Sequence, residues 1–320
     1  MRGIREARIG QPNARRSPLV EQGAHRSPNG NRRAASTQDN GNGRIHDFPV
    51  ILRARMLAVE NVTKRFIISD GAISALEGLS LAVPKGHFVA VIGPSGCGKS
   101  TLFNIIGGLV DDYQGRVLID GHAIDGTHHD VGMVFQEEST FPWLTTIENV
   151  AFPLDAAGMA KPERLERARA LLRLVGLDGF EQRYPAELSG GMRQRTAIAR
   201  TLAFEPKLLL MDEPFGALDE QTRLLLGDQV LRIHRELGQT TLLITHSITE
   251  AVQLADQVVV MSYRPGRVKR VVTIDLPRPR SSEIVSSPEF GRLVASIWSD
   301  LREEASRGMQ DLETSALAGR

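Results

Sequence analysis

Residues 93–101 read Gly93-Pro94-Ser95-Gly96-Cys97-Gly98-Lys99-Ser100-Thr101, directly after the apolar run Phe88-Val89-Ala90-Val91-Ile92. Gly93, Gly98, Lys99 and Ser100 satisfy the spacing G-x-x-x-x-G-K-[ST], and the apolar run before them predicts a buried parallel strand. A helix is expected to follow, from about Ser100 to Leu109. In that setting the glycines let successive backbone N–H groups and the positive end of the helix dipole face phosphate oxygens. Lys99 is placed to reach the β and γ phosphates, and the Ser100 hydroxyl to complete a Mg²⁺ shell. A bare strand-to-helix turn needs glycine, but it has no use for Lys and Ser at those positions.

Working outward, the run Leu208-Leu209-Leu210-Met211 predicts a second buried strand, which delivers Asp212 to the carboxyl end of the sheet, where doubly wound folds place ligands. Asp212 is then a Mg²⁺ ligand, directly or through water, and Glu213 the candidate general base for an attacking water. Asp-Glu-Pro can also simply end a strand; the phosphate loop upstream is what gives the pair a chemical task. Leu188-Ser189-Gly190-Gly191-Met192-Arg193-Gln194 predicts a helix with Ser189 as its N-cap. A helix start preceded by glycines is a second anion site, and one triphosphate has no obvious way to occupy both sites on one chain.

Taken together, these segments resemble the ATP-binding subunit of an ABC transporter, and the stretch Leu188 to Gln194 is what separates that family from other phosphate-loop ATPases. The resemblance covers roughly residues 56–280 and implies an α/β fold: a phosphate-loop, RecA-like ATPase core with a flanking antiparallel β layer and an inserted α-helical subdomain. It implies that Gln136, in Val134-Phe135-Gln136-Glu137, is the Q-loop glutamine linking Mg²⁺ and water to a membrane partner. Ala217-Leu218-Asp219 matches the D-loop, and His246 the switch histidine that contacts the γ phosphate. Phe66 stands where the family stacks an aromatic ring on adenine, with Phe in place of the common Tyr. The catalytic set implied is Glu213, His246, Gln136 and Lys99, and the metal set Ser100, Gln136 and Asp212. The nucleotide-binding set is Phe66, residues 93–101, Ser189, Gly190, Gly191 and Asp219.

Finer details point within the family. Phe141-Pro142-Trp143-Leu144-Thr145, Arg264-Pro265-Gly266-Arg267 and Leu276-Pro277-Arg278-Pro279-Arg280 resemble the nitrate/sulfonate/taurine group of bacterial importers. Ser247 after His246, where Asp is usual, and Thr196, where an aliphatic is usual, depart from the pattern. The resemblance implies ATP and Mg²⁺ as cofactors, a head-to-tail pair of identical chains, permease subunits in the membrane and, indirectly, a solute-binding protein. The place implied is peripheral, on the cytoplasmic face of the inner membrane. An exporter ATPase or a soluble ABC-type ATPase shares the nucleotide chemistry and stays open as an alternative.

Composition fits a globular protein: the 320 residues are 41% hydrophobic and 24% charged with a net charge of +1, neither acidic enough for a disordered chain nor basic enough to suggest a nucleic-acid partner. No run approaches the roughly 18–20 apolar residues that cross a bilayer, and no apolar segment near the N-terminus suggests a signal peptide. The single cysteine, Cys97, cannot form an internal disulfide and reads as incidental, although oxidation there could block ATP.

Residues 1–55 carry 11 arginines against 4 acids and few aliphatics, which predicts a disordered basic extension. The run from Met56 begins as family members tend to, so translation is expected to start there. Short strands are expected at Leu57–Glu60, Ala75–Val83 and Gly115–Ile119, with Asp120-Gly121 as a hairpin turn. His128-His129 is expected to point two ways on a strand, which argues against a metal site. A helical subdomain is expected at about 138–195, within which the aromatic loop around Trp143 would receive a helix of the membrane subunit, unless Trp143 is simply core. In the segment 281–320, Phe290, Leu293, Val294, Ile297, Trp298 and Leu301 fall on one helical stripe and predict an amphipathic helix docked on the domain.

Overall fold

The computed structural model describes residues 55–318 apart from residues 70, 137, 138 and 217. Residues 1–54 of the basic extension, on which the expected start of translation at Met56 bears, lie outside the described residues, as do Glu137 and Ala217 of the motifs quoted above.

Strands β1 (Arg55–Ile68) and β2 (Gly71–Pro84) form one long antiparallel hairpin, with Val59 opposite Leu81 and Phe66 opposite Ile73. The sequence suggests two short strands here. The difference has a cause: the register slips between Val59 and Val62 and again on either side of Lys64, and each slip breaks the two-residue alternation by which a strand is recognised. Next come β3 (Phe88–Ile92), α1 (Lys99–Ile106), β4 (Gln114–Ile119) and β5 (His122–Ala123). Helix α1 stops at Ile106, short of Leu109, because Gly107 and Gly108 follow and Gly108 turns left-handed at φ 71°. Ile119 pairs with His122 across Asp120-Gly121, both with positive φ (50° and 82°), the geometry of a tight two-residue hairpin.

The chain continues through β6 (Val131–Val134), α2 (Thr146–Ala156), α3 (Lys161–Leu174), α4 (Gly190–Leu202), β7 (Leu208–Asp212), α5 (Glu220–Leu237), β8 (Thr240–Ile244), α6 (Ile248–Leu254), β9 (Gln257–Met261), β10 (Val268–Thr273) and α7 (Pro288–Ala318). Two sheets result: a four-stranded one in the order β2-β1-β4-β5 and a six-stranded one in the order β10-β9-β3-β8-β7-β6. Within the second, β9, β3, β8, β7 and β6 are parallel and β10 closes one edge antiparallel.

The uninterrupted apolar runs of the parallel strands follow from this layering. On β3, Phe88, Ala90 and Ile92 pack into one core with the helices, while Val89 and Val91 pack into another with α1 and the antiparallel sheet. Both faces are covered, so every residue of β3, β7 and β8 is buried. Each such Leu, Ile or Val contributes about 1.5–3 kcal/mol relative to an exposed side chain. Helices α2, α3 and α4 pack against one another, with α4 running on to Leu202.

Two expectations are corrected. His128 and His129 lie in a loop outside any strand and their rings stack at 4.5 Å; they do not point apart. On α7, Phe290 and Ile297 are buried and Leu293, Val294 and Leu301 are packed against the core, but Trp298 is 58% exposed, at the edge of the stripe and beyond its contact with the domain. Among the described residues, no helix is long and apolar enough to cross a membrane.

Candidate functional site

The segment after β3 turns back on itself before α1 begins. Gly98 caps α1 at φ 98°, and a Cβ there would stand 2.7 Å from Leu76 Cδ2 and 2.8 Å from the Ala75 carbonyl oxygen, so both the conformation and the space demand glycine. Pro94 is half-buried and Ser95 and Gly96 are exposed at the crest of the loop, while Thr101 lies one residue further along α1 from Ser100. The Lys99 ammonium donates to the carbonyls of Gly93 at 2.9 Å and Pro94 at 3.2 Å, so the charge is held over the loop and not released to solvent. The Cys97 thiol is fully buried, and burial pushes its pKa up, which keeps it protonated and unreactive.

Strand β7 lies two positions from β3 in the sheet, with β8 between, and this order brings the carboxylates to the loop. Asp212 is 9% exposed. Burial raises its pKa and the Glu213 charge beside it adds to the rise, while the Ser100 hydroxyl bond and the Lys99 charge oppose it. A divalent cation at the Ser100–Asp212 pair would offset both of the causes that raise it. Among the described residues no three His, Cys, Asp or Glu groups converge on a metal position. One carboxylate and one hydroxyl are the donor set for Mg²⁺, which keeps waters and phosphate oxygens in its shell, so the residues present fit that ion.

Glu213 takes a left-handed backbone, φ 43°, and its N–H donates to the Ile244 carbonyl at 2.8 Å, which ties the end of β7 to the end of β8. Its Oε2 is 3.0 Å from His246 Nδ1. A carboxylate can only accept, so the ring carries its proton on Nδ1. A non-glycine residue held left-handed at a carboxylate of this kind is the sort of strain that clusters at functional sites.

The structure thus gathers Lys99, Ser100, Asp212, Glu213 and His246 in one place. Gln136 is exposed just past β6, next to Phe135, whose ring meets Phe103 of α1 edge-on at 5.7 Å. Phe66 is 42% exposed near the tip of the β1–β2 hairpin, with the Lys64 ammonium 4.9 Å from its ring centre. The stretch from Leu188 to Gln194 leads into α4. Ser189 caps α4 by accepting from Met192 N–H at 3.3 Å, Gly190 follows it, and the nearest side chains to Gly191 are Thr222 and Leu218. Asp219 caps α5, accepting from Thr222 N–H at 3.0 Å, and those hydrogen bonds lower its pKa.

Sequence reading missed two features. The first is Asn149, fully buried, whose amide accepts from Phe141 N–H at 2.7 Å and donates to the carbonyls of Phe141 and Leu144 at 3.1 and 3.0 Å. It fixes an aromatic platform: Trp143, 70% exposed, stacks on Phe141 at 5.5 Å, and Phe141 meets Phe152 at 4.7 Å with the Arg200 guanidinium over it at 4.8 Å. Trp143 is therefore surface and not core. The second is Glu250 on α6, hydrogen-bonded by Thr245, the residue before His246. Ser247-x-x-Glu250 was the available signal, since Ser247 caps α6 by accepting from Glu250 N–H at 3.3 Å.

Burial raises the Glu250 pKa to about 7 against the opposing effects of the Thr245 bond and of Arg223 and His246, with Glu213 adding to the rise. A raised carboxyl pKa stabilises the fold below the ordinary value near 4.5, and that contribution is lost as pH climbs through about 7. Thermal stability is therefore expected to fall between pH 5 and 7 by up to about 3 kcal/mol through this group, and Glu250→Gln to flatten the slope. Unfolding curves across that range for both proteins test it; equal slopes would exclude Glu250 as the source.

The family model described as ABC transporter matches residues 76–216. The chain is 47% identical over 257 residues to the uncharacterized ABC transporter ATP-binding protein MJ0412 of Methanocaldococcus jannaschii, covering 79% of this chain and 96% of that one. It is 42% identical over 268 residues to the nitrate import ATP-binding protein NrtD of Synechocystis, covering 82% and 99%. It is 43% identical over 238 residues to the aliphatic sulfonates import ATP-binding protein SsuB of Bacillus cereus, covering 74% and 94%. Among solved structures, a dimeric post-hydrolysis state of the ATP-binding cassette MJ0796 bound to ADP and Pi matches with a TM-score of 0.62 at 34% identity, over 69% of this chain and all of that one.

Proposed function

Because this chain belongs to the ABC transporter family of ATP-binding proteins, we propose that it is the ATP-hydrolysing, energy-coupling subunit of an importer for nitrate, a sulfonate such as taurine, or a related small solute. The observation that carries the chemistry is the convergence of Lys99, Ser100, Asp212, Glu213 and His246 at the carboxyl ends of β3, β7 and β8. Lys99 and the loop N–H groups hold the β and γ phosphates. Ser100 and Asp212, with Gln136, hold Mg²⁺, which when bound supplies positive charge where negative charge builds on the phosphoryl group. Glu213 orients the attacking water and takes its proton, while His246 anchors the Glu213 carboxylate through Nδ1 and contacts the γ phosphate. Phe66 supplies the stacking face for adenine.

Ser189, Gly190 and Gly191 open α4, where Gly191 faces Leu218 and Thr222 and not the phosphate loop, and in our reading they serve a second nucleotide. In our reading two copies pair head to tail, each ATP lying between the phosphate loop of one copy and the signature helix of the other, with Asp219 at the seam. Closing on ATP and opening after hydrolysis moves the permease between its two states, because the γ phosphate binds both halves and its loss removes those contacts. This places the protein on the cytoplasmic face of the membrane, with a solute-binding protein on the other side.

Coupling needs a docking point for the permease, and the Phe141/Trp143/Phe152 platform has the exposure and rigidity of an aromatic anchor. Trp143→Ala is expected to reduce co-purification with the permease by about tenfold while ATP binding and the melting temperature stay unchanged. Undiminished co-purification would place the contact elsewhere.

A further inference from the structure

We infer that Arg264 positions the phosphate loop for nucleotide, and that the C-terminal helix holds Arg264 to that task through Glu304. The inference rests on the ATPase reading above and adds to it a residue outside the nucleotide motifs.

The peptide unit between Gly96 and Cys97 is bonded at both ends. Its carbonyl accepts from Arg264 Nε at 2.9 Å, and its N–H donates to the Pro94 carbonyl at 3.3 Å. Gly96 is left-handed at φ 76°, and a Cβ there would come within 3.0 Å of Arg264 Nη2, so the guanidinium lies directly against the loop. Two residues on, Gly266 abuts the same loop, since a Cβ at that position would sit 2.1 Å from the Cys97 carbonyl oxygen. Arg264 thus bonds one peptide of the phosphate loop from outside, and Gly266 lies close against the next. With the Gly96–Cys97 unit clamped, it cannot flip and turn a carbonyl oxygen toward phosphate.

The segment carrying these residues is itself fixed. Ser262 N–H donates to the Arg267 carbonyl at 2.9 Å, and Arg267 N–H donates to Ser262 Oγ at 3.0 Å, which closes the turn. Gly266 N–H donates to the Ala75 carbonyl at 2.9 Å, and Glu77 N–H to the Gly266 carbonyl at 3.2 Å, which binds the turn to β2. Arg267 also pairs with Glu77 at 2.6 Å, and a further tie runs to α7. Glu304, 2% exposed, accepts from Tyr263 N–H at 2.9 Å through Oε2, while its Oε1 accepts from Lys269 at 2.8 Å and Arg307 at 3.1 Å. One turn further along α7, Gly308 has no space for a side chain, because a Cβ would lie 2.8 Å from the Tyr263 ring.

A continuous set of contacts therefore runs from α7 through Glu304, Tyr263 and Arg264 to Gly96. At the rim of a polyphosphate site the planar guanidinium also adds attraction that lysine reproduces only as a point charge.

The test compares wild type, R264A, R264K, E304A and R264A/E304A in full-length protein. It uses steady-state ATP hydrolysis, binding of a fluorescent trinitrophenyl ATP analogue, and melting without nucleotide. R264A is expected to raise KM for ATP and the probe Kd about tenfold with kcat within about twofold, R264K to fall between, and the nucleotide-free melting temperature of R264A to match wild type, because the side chain is exposed. E304A is expected to raise KM in the same direction, and the double variant to be no worse than R264A, since both act through one contact. An R264A enzyme with wild-type KM and Kd overturns the role of Arg264, and KM effects that multiply in the double variant overturn the link to α7. A wild-type protein that fails to hydrolyse ATP sinks the underlying ATPase reading instead.

Discussion

Glu213→Gln is expected to lower ATP turnover by at least about a hundredfold while leaving nucleotide binding intact, and to trap an ATP-dependent dimer. The substitution keeps the shape of a side chain whose backbone is already strained at φ 43°, and the amide oxygen can still accept from His246 Nδ1, now 3.0 Å from Oε2. What disappears is the basicity needed to take a proton from water. The loss of charge has a second effect of opposite sign. Glu213 is one of the two causes that push the Asp212 pKa up, so removing its charge makes it easier for Asp212 to stay ionised and to hold Mg²⁺. Binding should therefore be equal or tighter as hydrolysis stops. Phosphate release and gel filtration with ATP and Mg²⁺ separate the two effects: the variant should be silent in the first and dimeric in the second. Near-normal phosphate release would show that Glu213 is not the base.

Much of this site is readable from sequence because each piece combines a buried strand with a chemical group at its end. β3, β7 and β8 each show as an apolar run because both of their faces are covered, and each delivers a motif where the run stops: the phosphate loop, Asp212-Glu213 and His246. The antiparallel hairpin reads poorly for the converse reason, as its bulges break the alternation that would have revealed two long strands. The left-handed turn at Glu213 leaves no trace in composition, since any residue type can be forced there by its neighbours, here by the bond from its N–H to Ile244. Long-range polar ties are hidden for the same reason. Arg264 and Gly96 are 168 positions apart, and Glu304 and Tyr263 are 41 apart, so nothing local announces either contact. Asn149 and Trp143 mark the limit from another side: the residues were visible, but only the packing decides that the indole faces solvent while the amide is buried.

Mixing two inactive variants is expected to restore activity, and this is the sharpest consequence of two half-sites on separate copies. Ser189→Asp keeps the helix cap, because aspartate caps as well as serine and the side chain here is exposed, yet it puts a negative charge where the second half-site must accept phosphate. Lys99→Ala removes the ammonium that bridges the Gly93 and Pro94 carbonyls and that, in the function proposed, reaches the phosphates. Each variant alone should lose at least about a hundredfold in turnover. In a mixed dimer both lesions fall on one composite site, and the other site joins an intact phosphate loop to an intact Ser189. Equal mixing makes half the dimers mixed, each with one good site of two, so the recovered rate should approach about a quarter of wild type. If instead each chain used its own Ser189, every site in the mixture would carry a lesion and the rate would stay at the sum of the parents. Phosphate release from the two proteins, alone and combined, therefore decides between sites completed by a partner copy and sites completed within one chain.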